Sequence, residues 1–179
     1  MSQVPGSADR RLPQQDQRCV RDLALLDKLV LWDDPTGFRV RLRVFLPGYF
    51  DRPHNHRWSY SSRVLIGQYR HILFWDVNLD EHVDPAALTP VMVCWKQAGS
   101  SYVLHDSMVH AVVAEAYTVS LVIRGPAVKD RFLVMDRGTG ESWWQYGAGR
   151  ESTEEAAKKQ MSVERVLELV DRLRDLDVF

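Results

Sequence analysis

Residues 38–46 read FRVRLRVFL, and this stretch decides the fold class. One side of the alternating pattern carries Arg39, Arg41 and Arg43, and the other carries Val40, Leu42 and Val44. A period of two residues is typical of a β-strand with one buried face. Because arginine side chains are usually exposed, we predict that the arginines face solvent and the apolar residues face the core. The alternative is that the arginines form a clamp for a substrate.

The chain beyond this strand breaks into short β-prone runs as far as about residue 144. They include SSRVLIGQYRHILFWDV (61–77), PVMVCWKQ (90–97), SSYVLHD (100–106), VHAVVAE (109–115), YTVSLVIRG (117–125) and KDRFLVMD (129–136). Gly, Pro, Asn and Asp separate these runs and indicate turns. Many short strands predict a β-barrel or a β-sandwich, so the chain is predicted to be dominated by β-structure.

The two ends of the chain have a different character. Residues 1–17 (MSQVPGSADRRLPQQDQ) are polar and include two prolines, which predicts a flexible tail. Residues 19–28 are predicted to form a short helix, because Val20, Leu23 and Leu26 fall near one helical face. We therefore expect a tail over 1–17 and a barrel with an N-terminal helix over 18–148.

The remaining segment, 149–179, is predicted to be helical. Ser152 and Glu155 have the spacing of a capping box at a helix N-terminus. The later run VERVLELVDRLRDL places apolar residues on one helical stripe, namely Val163, Val166, Leu167, Val170 and Leu173. One or two helices should therefore pack against the outside of the barrel.

Composition narrows the possible partners and the compartment. The 179 residues include 23 Lys and Arg against 24 Asp and Glu, so no basic footprint for nucleic acid or for an anionic membrane is predicted. A small molecule is the expected partner, and the chain is expected to be a monomer or a homodimer. Cys19 and Cys94 lie far apart and predict neither a disulfide framework nor a cysteine metal site. The absence of a leader-like or membrane-spanning apolar run favours a cytoplasmic protein.

Histidines suggest a metal site. His54 and His56 flank Asn55, and residues two apart in a strand point to the same side. Catalytic metal sites usually keep three protein ligands, and His110 is the best candidate for the third. His105 is a rival, but we interpret it as a surface residue.

Two further histidines are assigned lesser roles. His71 could donate to a metal ligand from behind, although a hydrogen-bonded structural histidine is the ordinary interpretation. His82, within NLDEHVDP, is expected in an exposed loop.

The segment PGYFDRPHNH (47–56), the glycine eleven residues later at Gly67, and the pair Val109-His110 together resemble the two signature motifs of the cupin superfamily, the RmlC-like proteins. The resemblance implies a jelly-roll-like β-barrel with a metal inside. Many cupins carry a fourth, glutamate ligand four or five residues after the second histidine, but Tyr60 and Ser61 stand there. A three-histidine site is therefore implied.

Among cupins, the cysteine dioxygenase-type thiol dioxygenases share the three-histidine arrangement. The likeness to them extends to GQYRHILFWD (67–76), YVLHDSMVHAV (102–112), TVSLVIRGP (118–126) and MDRGTG (135–140). This resemblance implies Fe(II) and molecular oxygen. Those enzymes carry a Ser-x-His-x-Tyr series facing the metal, whereas the matching positions here are Ser120, Val122 and Arg124. The histidine and tyrosine of that series are missing here, so the resemblance implies the fold and the metal more directly than it implies thiol oxidation. By the same parity, Arg124 should point toward the metal, where a buried arginine needs an anionic partner.

The sequence thus predicts a non-haem iron dioxygenase or other oxygenase acting on a small anionic molecule. His54, His56 and His110 would hold Fe(II), Arg124 would orient the anion, and Tyr60 would hydrogen-bond oxygen or substrate. Zn, Mn and Ni are alternative metals, and zinc in the same cage could only polarise a carbonyl or activate water. Two alternatives stay open: a metal-dependent isomerase, cyclase or lyase, and a non-enzymatic ligand-binding cupin.

Overall fold

The computed structural model describes residues 20–22, 25–74, 79 and 83–178. The tail expected over 1–17 and the loop expected around His82 lie outside these residues, as does Cys19. The described strands are β1 (Val20–Asp22), β2 (Leu26–Asp33), β3 (Arg39–Phe45), β4 (Tyr60–Ile66), β5 (Gln68–Phe74), β6 (Pro90–Gln97), β7 (Ser101–Leu104), β8 (Val109–Ala114), β9 (Val119–Arg124), β10 (Arg131–Asp136) and β11 (Glu141–Tyr146). The described α-helices are α1 (Thr153–Lys159) and α2 (Val163–Asp175).

The strands form three antiparallel sheets. The largest has the order β1-β2-β3-β9-β4-β7, a second has the order β6-β5-β8, and β10 pairs with β11. Buried side chains from the two larger sheets pack against each other, for example Val64 of β4 with Tyr69 of β5 and Val112 of β8. The two sheets therefore enclose one interior, and the prediction of a β-dominated, cupin-type barrel is confirmed.

The helix predicted over residues 19–28 is wrong for the residues that the structure describes. Residues 20–22 belong to β1, and Leu26 begins β2, which runs antiparallel to β3. Leu29 of β2 lies opposite Leu42 of β3 and is buried with it in one cluster. Pairing with β3 satisfies the backbone hydrogen bonds of this segment, so the helical spacing of its apolar residues is overridden.

The prediction that the arginines of β3 face solvent is also wrong. Arg41 and Arg43 are only 7% and 8% exposed. Leu42 and Val44 point the other way and are covered by Leu169 and Leu173 of α2. Because α2 covers the apolar face of the sheet from outside, the arginine face becomes the lining of the barrel. The alternative of an arginine clamp agrees with this placement.

The C-terminal helices pack outside the barrel, as predicted. Ser152 and Glu155 form both hydrogen bonds of the expected capping box. The buried stripe of α2 differs from the predicted one, since Leu169 and Leu173 are its buried residues while Val163 and Leu167 are about half exposed. No helix in the described ranges has both the length and the apolar character needed to cross a bilayer.

Candidate metal centre

The backbone of His54 is fixed directly against that of His110. The His54 amide donates to the His110 carbonyl at 2.9 Å, and the His110 amide donates to the His54 carbonyl at 2.9 Å. His110 belongs to β8, whereas His54 forms only isolated bridges. The strand expected around His54 is therefore replaced by an irregular segment that β8 holds in place.

Asn55 secures the link between the two neighbouring histidines. Its side chain is buried, and its Oδ1 accepts a hydrogen bond from the Leu133 amide of β10 at 2.8 Å. A buried amide oxygen is stable only with such a partner. The segment that carries His54 and His56 is thus held by β8 on one side and by β10 on the other.

The three imidazoles converge on one point. One ring nitrogen from each of His54, His56 and His110 can be chosen so that all lie within 4.8 Å of one another. The Nε2 atoms of His56 and His110 are 2.8 Å apart. The Nδ1 atom of His54 is 2.8 Å from the Arg52 carbonyl oxygen, so Nδ1 carries the proton and Nε2 is left free to bind a metal.

The protonation states of these histidines suit metal binding. Burial lowers the pKa of His56 and of His110 well below the usual value, and the neighbouring His54 lowers both further. A neutral imidazole is the form that coordinates a metal. The donor set therefore fits a divalent transition metal, and these three residues could hold one.

His71 lies directly behind His110. Its Nε2 atom is 3.0 Å from His110 Nδ1, and its side chain is buried. Burial, followed by the charge of Lys96, lowers the pKa of His71 to about 4, so its neutral ring can accept the His110 Nδ1 proton. That hydrogen bond orients His110 with Nε2 toward the other two histidines. His71 therefore has the position of a supporting residue.

His105 is not part of this group. Its side chain is 67% exposed, and its Nδ1 atom bonds the Ser107 hydroxyl at 2.8 Å. The surface position that the sequence suggested agrees with this placement.

Tyr60 lies beside the histidines. Its hydroxyl oxygen is 3.4 Å from His110 Nε2, and its ring meets the His56 ring edge-on with centroids 4.9 Å apart. Burial raises the pKa of Tyr60 to about 12, so the phenol is protonated at neutral pH. It can therefore donate a hydrogen bond to a group bound next to the histidines.

Arg124 shares the inward face with Ser120 and Val122, as its parity suggested. Its guanidinium lies 4.4 Å from the centroid of the Trp58 ring, and Nη1 donates to the carbonyls of Gly37 and Gly125. The Trp58 ring in turn lies 6.1 Å from the His56 ring. Trp58 thus lies close to both the Arg124 guanidinium and the His56 ring.

Arg41 and Arg43 are more deeply buried than Arg124 and also lie near these aromatic rings, although the sequence favoured the opposite face for them. The Arg43 guanidinium is 5.6 Å from the centroid of the Tyr60 ring. The Arg41 guanidinium is 6.0 Å from the centroid of the Trp58 ring. Their alternating spacing was visible in the sequence, but no local signal indicated which face was interior.

No family model matches the sequence, and no curated protein matches it. Among solved structures, an RmlC-like cupin from Shewanella frigidimarina has a TM-score of 0.48 and 17% identity, with 69% of this chain and 95% of that chain covered. The DMSP lyase DddQ from Ruegeria pomeroyi has a TM-score of 0.45 and 13% identity, with 68% and 58% covered. The hydroquinone 1,2-dioxygenase PnpCD, in complex with Cd²⁺ and 4-hydroxybenzonitrile, has a TM-score of 0.44 and 13% identity, with 56% and 64% covered.

Similarities this distant say nothing about the reaction or the substrate of this chain. The architecture itself consists of two antiparallel sheets around one interior, with His54, His56 and His110 gathered inside. The chain therefore has a cupin-type β-barrel fold with a three-histidine group that could bind a metal ion.

Proposed function

We propose that this chain is a mononuclear Fe(II) oxygenase that acts on a small anionic organic molecule. The observation that carries the proposal is the convergence of three imidazoles, a group that contains no carboxylate among the described residues. The same interior also contains buried arginines. Neutral ligands leave a divalent ion with its full charge, which favours an anionic ligand. His54, His56 and His110 would hold the metal.

The donor set supports iron without excluding other metals. Imidazole suits iron, zinc, copper and nickel, and three protein ligands leave positions open for other groups. Iron, when bound, would supply coordination positions for substrate and oxygen together with the electrons that oxygen activation requires. Zn, Mn and Ni remain the alternatives, and zinc would limit the chemistry to polarisation of a bound group.

Tyr60 and Arg124 are assigned roles toward the substrate. Tyr60 would donate its hydroxyl proton in a hydrogen bond to substrate or oxygen, because its raised pKa keeps the phenol protonated. Arg124 would orient the anion at the Trp58 side of the interior, where its planar guanidinium already lies over the indole ring. A guanidinium can bind a carboxylate with two parallel hydrogen bonds, which a lysine ammonium cannot do.

Replacing Arg124 by lysine is expected to weaken substrate binding about five- to thirtyfold, which corresponds to a loss of about 1–2 kcal/mol in charge-assisted hydrogen bonding. Metal content should equal that of the parent protein, because Arg124 is not a ligand. The Kd of the first active substrate and the metal content are measured on both proteins. Unchanged affinity would show that Arg124 serves only the packing of Trp58.

A second candidate is a metal-dependent isomerase, cyclase or lyase that consumes no oxygen. Tyr60 favours it, since a protonated phenol 3.4 Å from His110 Nε2 could deliver a proton to an enolate oxygen or carbon. The Tyr69 hydroxyl donates to the Tyr102 hydroxyl at 3.0 Å nearby. A group of buried hydroxyls of this kind could relay that proton.

Metal analysis combined with oxygen uptake tests the proposal. Purified protein is expected to contain iron and to consume oxygen with members of a panel of thiols and dicarbonyl compounds, and a chelator should abolish the uptake. Product formation under nitrogen would favour the isomerase, cyclase or lyase. Protein that binds no divalent metal at all would contradict both.

A further inference from the structure

Two arginines of the barrel interior have no charge partner among the described residues. Arg41 and Arg43 are more than nine-tenths buried, and their Nε atoms, like that of Arg39, have no hydrogen-bond partner in the described structure. Among the residues that the structure describes, neither forms an ion pair. By contrast Arg39, on the same face of the same strand, bonds Asp33 at 2.6 Å. On this face of β3, the arginine at the strand end forms an ion pair, whereas the two arginines farther inside form none with a described residue.

An uncompensated buried charge destabilises a fold unless a counter-charge arrives. Burial, followed by repulsion from Arg43 and Arg124, lowers the pKa of Arg41 well below its usual value. Burial also opposes the charge on Arg43, but Tyr60, neighbouring phenols and Asp51 together raise its pKa above the usual value. Those phenols compensate Arg43 only when ionised, and Tyr60 stays protonated at neutral pH.

The remaining counter-charge near Arg43 is already engaged. Asp51 raises the pKa of Arg43, but its carboxylate accepts a hydrogen bond from the Tyr49 hydroxyl and forms no ion pair with Arg43. The charged neighbours that lower the pKa of Arg41, after burial itself, are the arginines Arg43, Arg124 and Arg39. The two guanidiniums therefore remain available to an external anion.

The arginine side chains reach toward the histidines. In the sheet, Arg43 lies opposite Ser120, which in turn lies opposite Val64 of β4. Val64 is four residues from Tyr60 along that strand. The Arg43 guanidinium is nevertheless 5.6 Å from the centroid of the Tyr60 ring, and the Tyr60 hydroxyl is 3.4 Å from His110 Nε2. Arg43, Tyr60 and the histidines thus border the same part of the interior.

We propose that the natural substrate carries two anionic groups, one directed to the histidines and a second, oxyanionic group bound by Arg41 and Arg43. This inference rests on the proposed function for its first group, whereas its second group depends on the arginines alone. Ser120 and Ser62 are buried on the same face and could complete the hydrogen bonding of that group. Carboxylate and phosphoryl groups share this chemistry, since both accept paired hydrogen bonds from guanidinium.

Calorimetric titration of the zinc-loaded protein under nitrogen tests the inference without any turnover. The three probes have chains of similar length and one carboxylate in common. Succinate adds a second carboxylate, 3-phosphonopropionate adds a phosphoryl group, and butyrate has no second anion. Succinate or 3-phosphonopropionate is expected to bind at least about tenfold more tightly than butyrate, as a charge-assisted contact would provide. Preference between these two identifies the second group as carboxylate or phosphoryl.

Arg41→Met and Arg43→Met are the decisive variants, because methionine removes the charge but keeps an unbranched apolar chain. Both should lose the preference for the dianion. Arg63→Met is the matched control, since Arg63 lies on β4 but is exposed, and it should keep the preference. Equal affinity for succinate and butyrate in the parent protein, or a preference retained in Arg43→Met, would overturn the inference.

Thermal melting separates a failed fold from a lost site. Without anion, both methionine variants should melt at or above the parent temperature, because they remove uncompensated buried charge. Succinate should raise the melting temperature of the parent but not of Arg43→Met. In chelator-treated protein, succinate should bind more weakly, but its binding should still require Arg43. If only the metal site failed, this requirement for Arg43 would remain.

Discussion

Replacing His110 by alanine is expected to remove nearly all bound metal and to lower metal affinity by at least about a hundredfold. Loss of a residue that only supports a ligand lowers metal affinity by at most about a hundredfold. His110 would supply one of only three ligands, and its Nε2 atom lies 2.8 Å from that of His56. Two imidazoles are a weak site for a divalent ion. Metal per chain is measured after dialysis, and affinity by competition with a chelator of known strength. His54→Ala and His56→Ala should behave in the same way.

Two other histidines provide graded controls. His105→Ala should keep its full metal content, because this side chain is two-thirds exposed and bonds Ser107 instead. His71→Ala should lie between, with affinity lowered about ten- to a hundredfold, because His71 orients the His110 ring through Nδ1. Full metal retention in His110→Ala would rule out the three-histidine site.

The three histidines could be singled out from the sequence, but their geometry could not. His54 and His56 stood out through their spacing, and His110 through its motif. The reciprocal backbone bonds between His54 and His110, however, join residues 56 positions apart. The hydrogen bond from the Leu133 amide to Asn55 likewise joins residues 78 positions apart in the sequence. Such contacts leave no local pattern, so an irregular segment was mistaken for a strand.

For strand β3, the secondary structure could be predicted from the sequence, but the face that points inward could not. Its alternation predicted a strand correctly, yet the choice of inner face rested on the general preference of arginine for solvent. That preference fails where a later element covers the apolar face, as α2 covers Leu42 and Val44. Arg41 and Arg43 were therefore assigned to the surface although they line the interior. A functional site is where such a general rule is expected to fail.

Gly67, the glycine of the cupin-like motif, is required by the local backbone conformation and by a close contact with Thr118. It connects β4 to β5 with a φ of +72°, in the left-handed region that only glycine adopts readily. A Cβ atom at this position would lie 2.6 Å from Thr118 Oγ1 and 3.1 Å from Thr118 Cα. Thr118 is fully buried, and its hydroxyl is bonded to both the amide and the carbonyl of Gln68. It cannot move aside without breaking those bonds.

Gly67→Ala is therefore expected to lower the free energy of unfolding by about 2–5 kcal/mol, combining left-handed strain with overpacking. Gly99→Ala is the matched control: φ at Gly99 is +88°, but no atom lies within 4 Å of the added Cβ, so only the strain of about 1–2 kcal/mol should appear. Urea denaturation of both variants and the parent measures the difference. Equal losses in the two variants would mean that the contact with Thr118 relaxes freely, and the glycine would then be required for its φ alone.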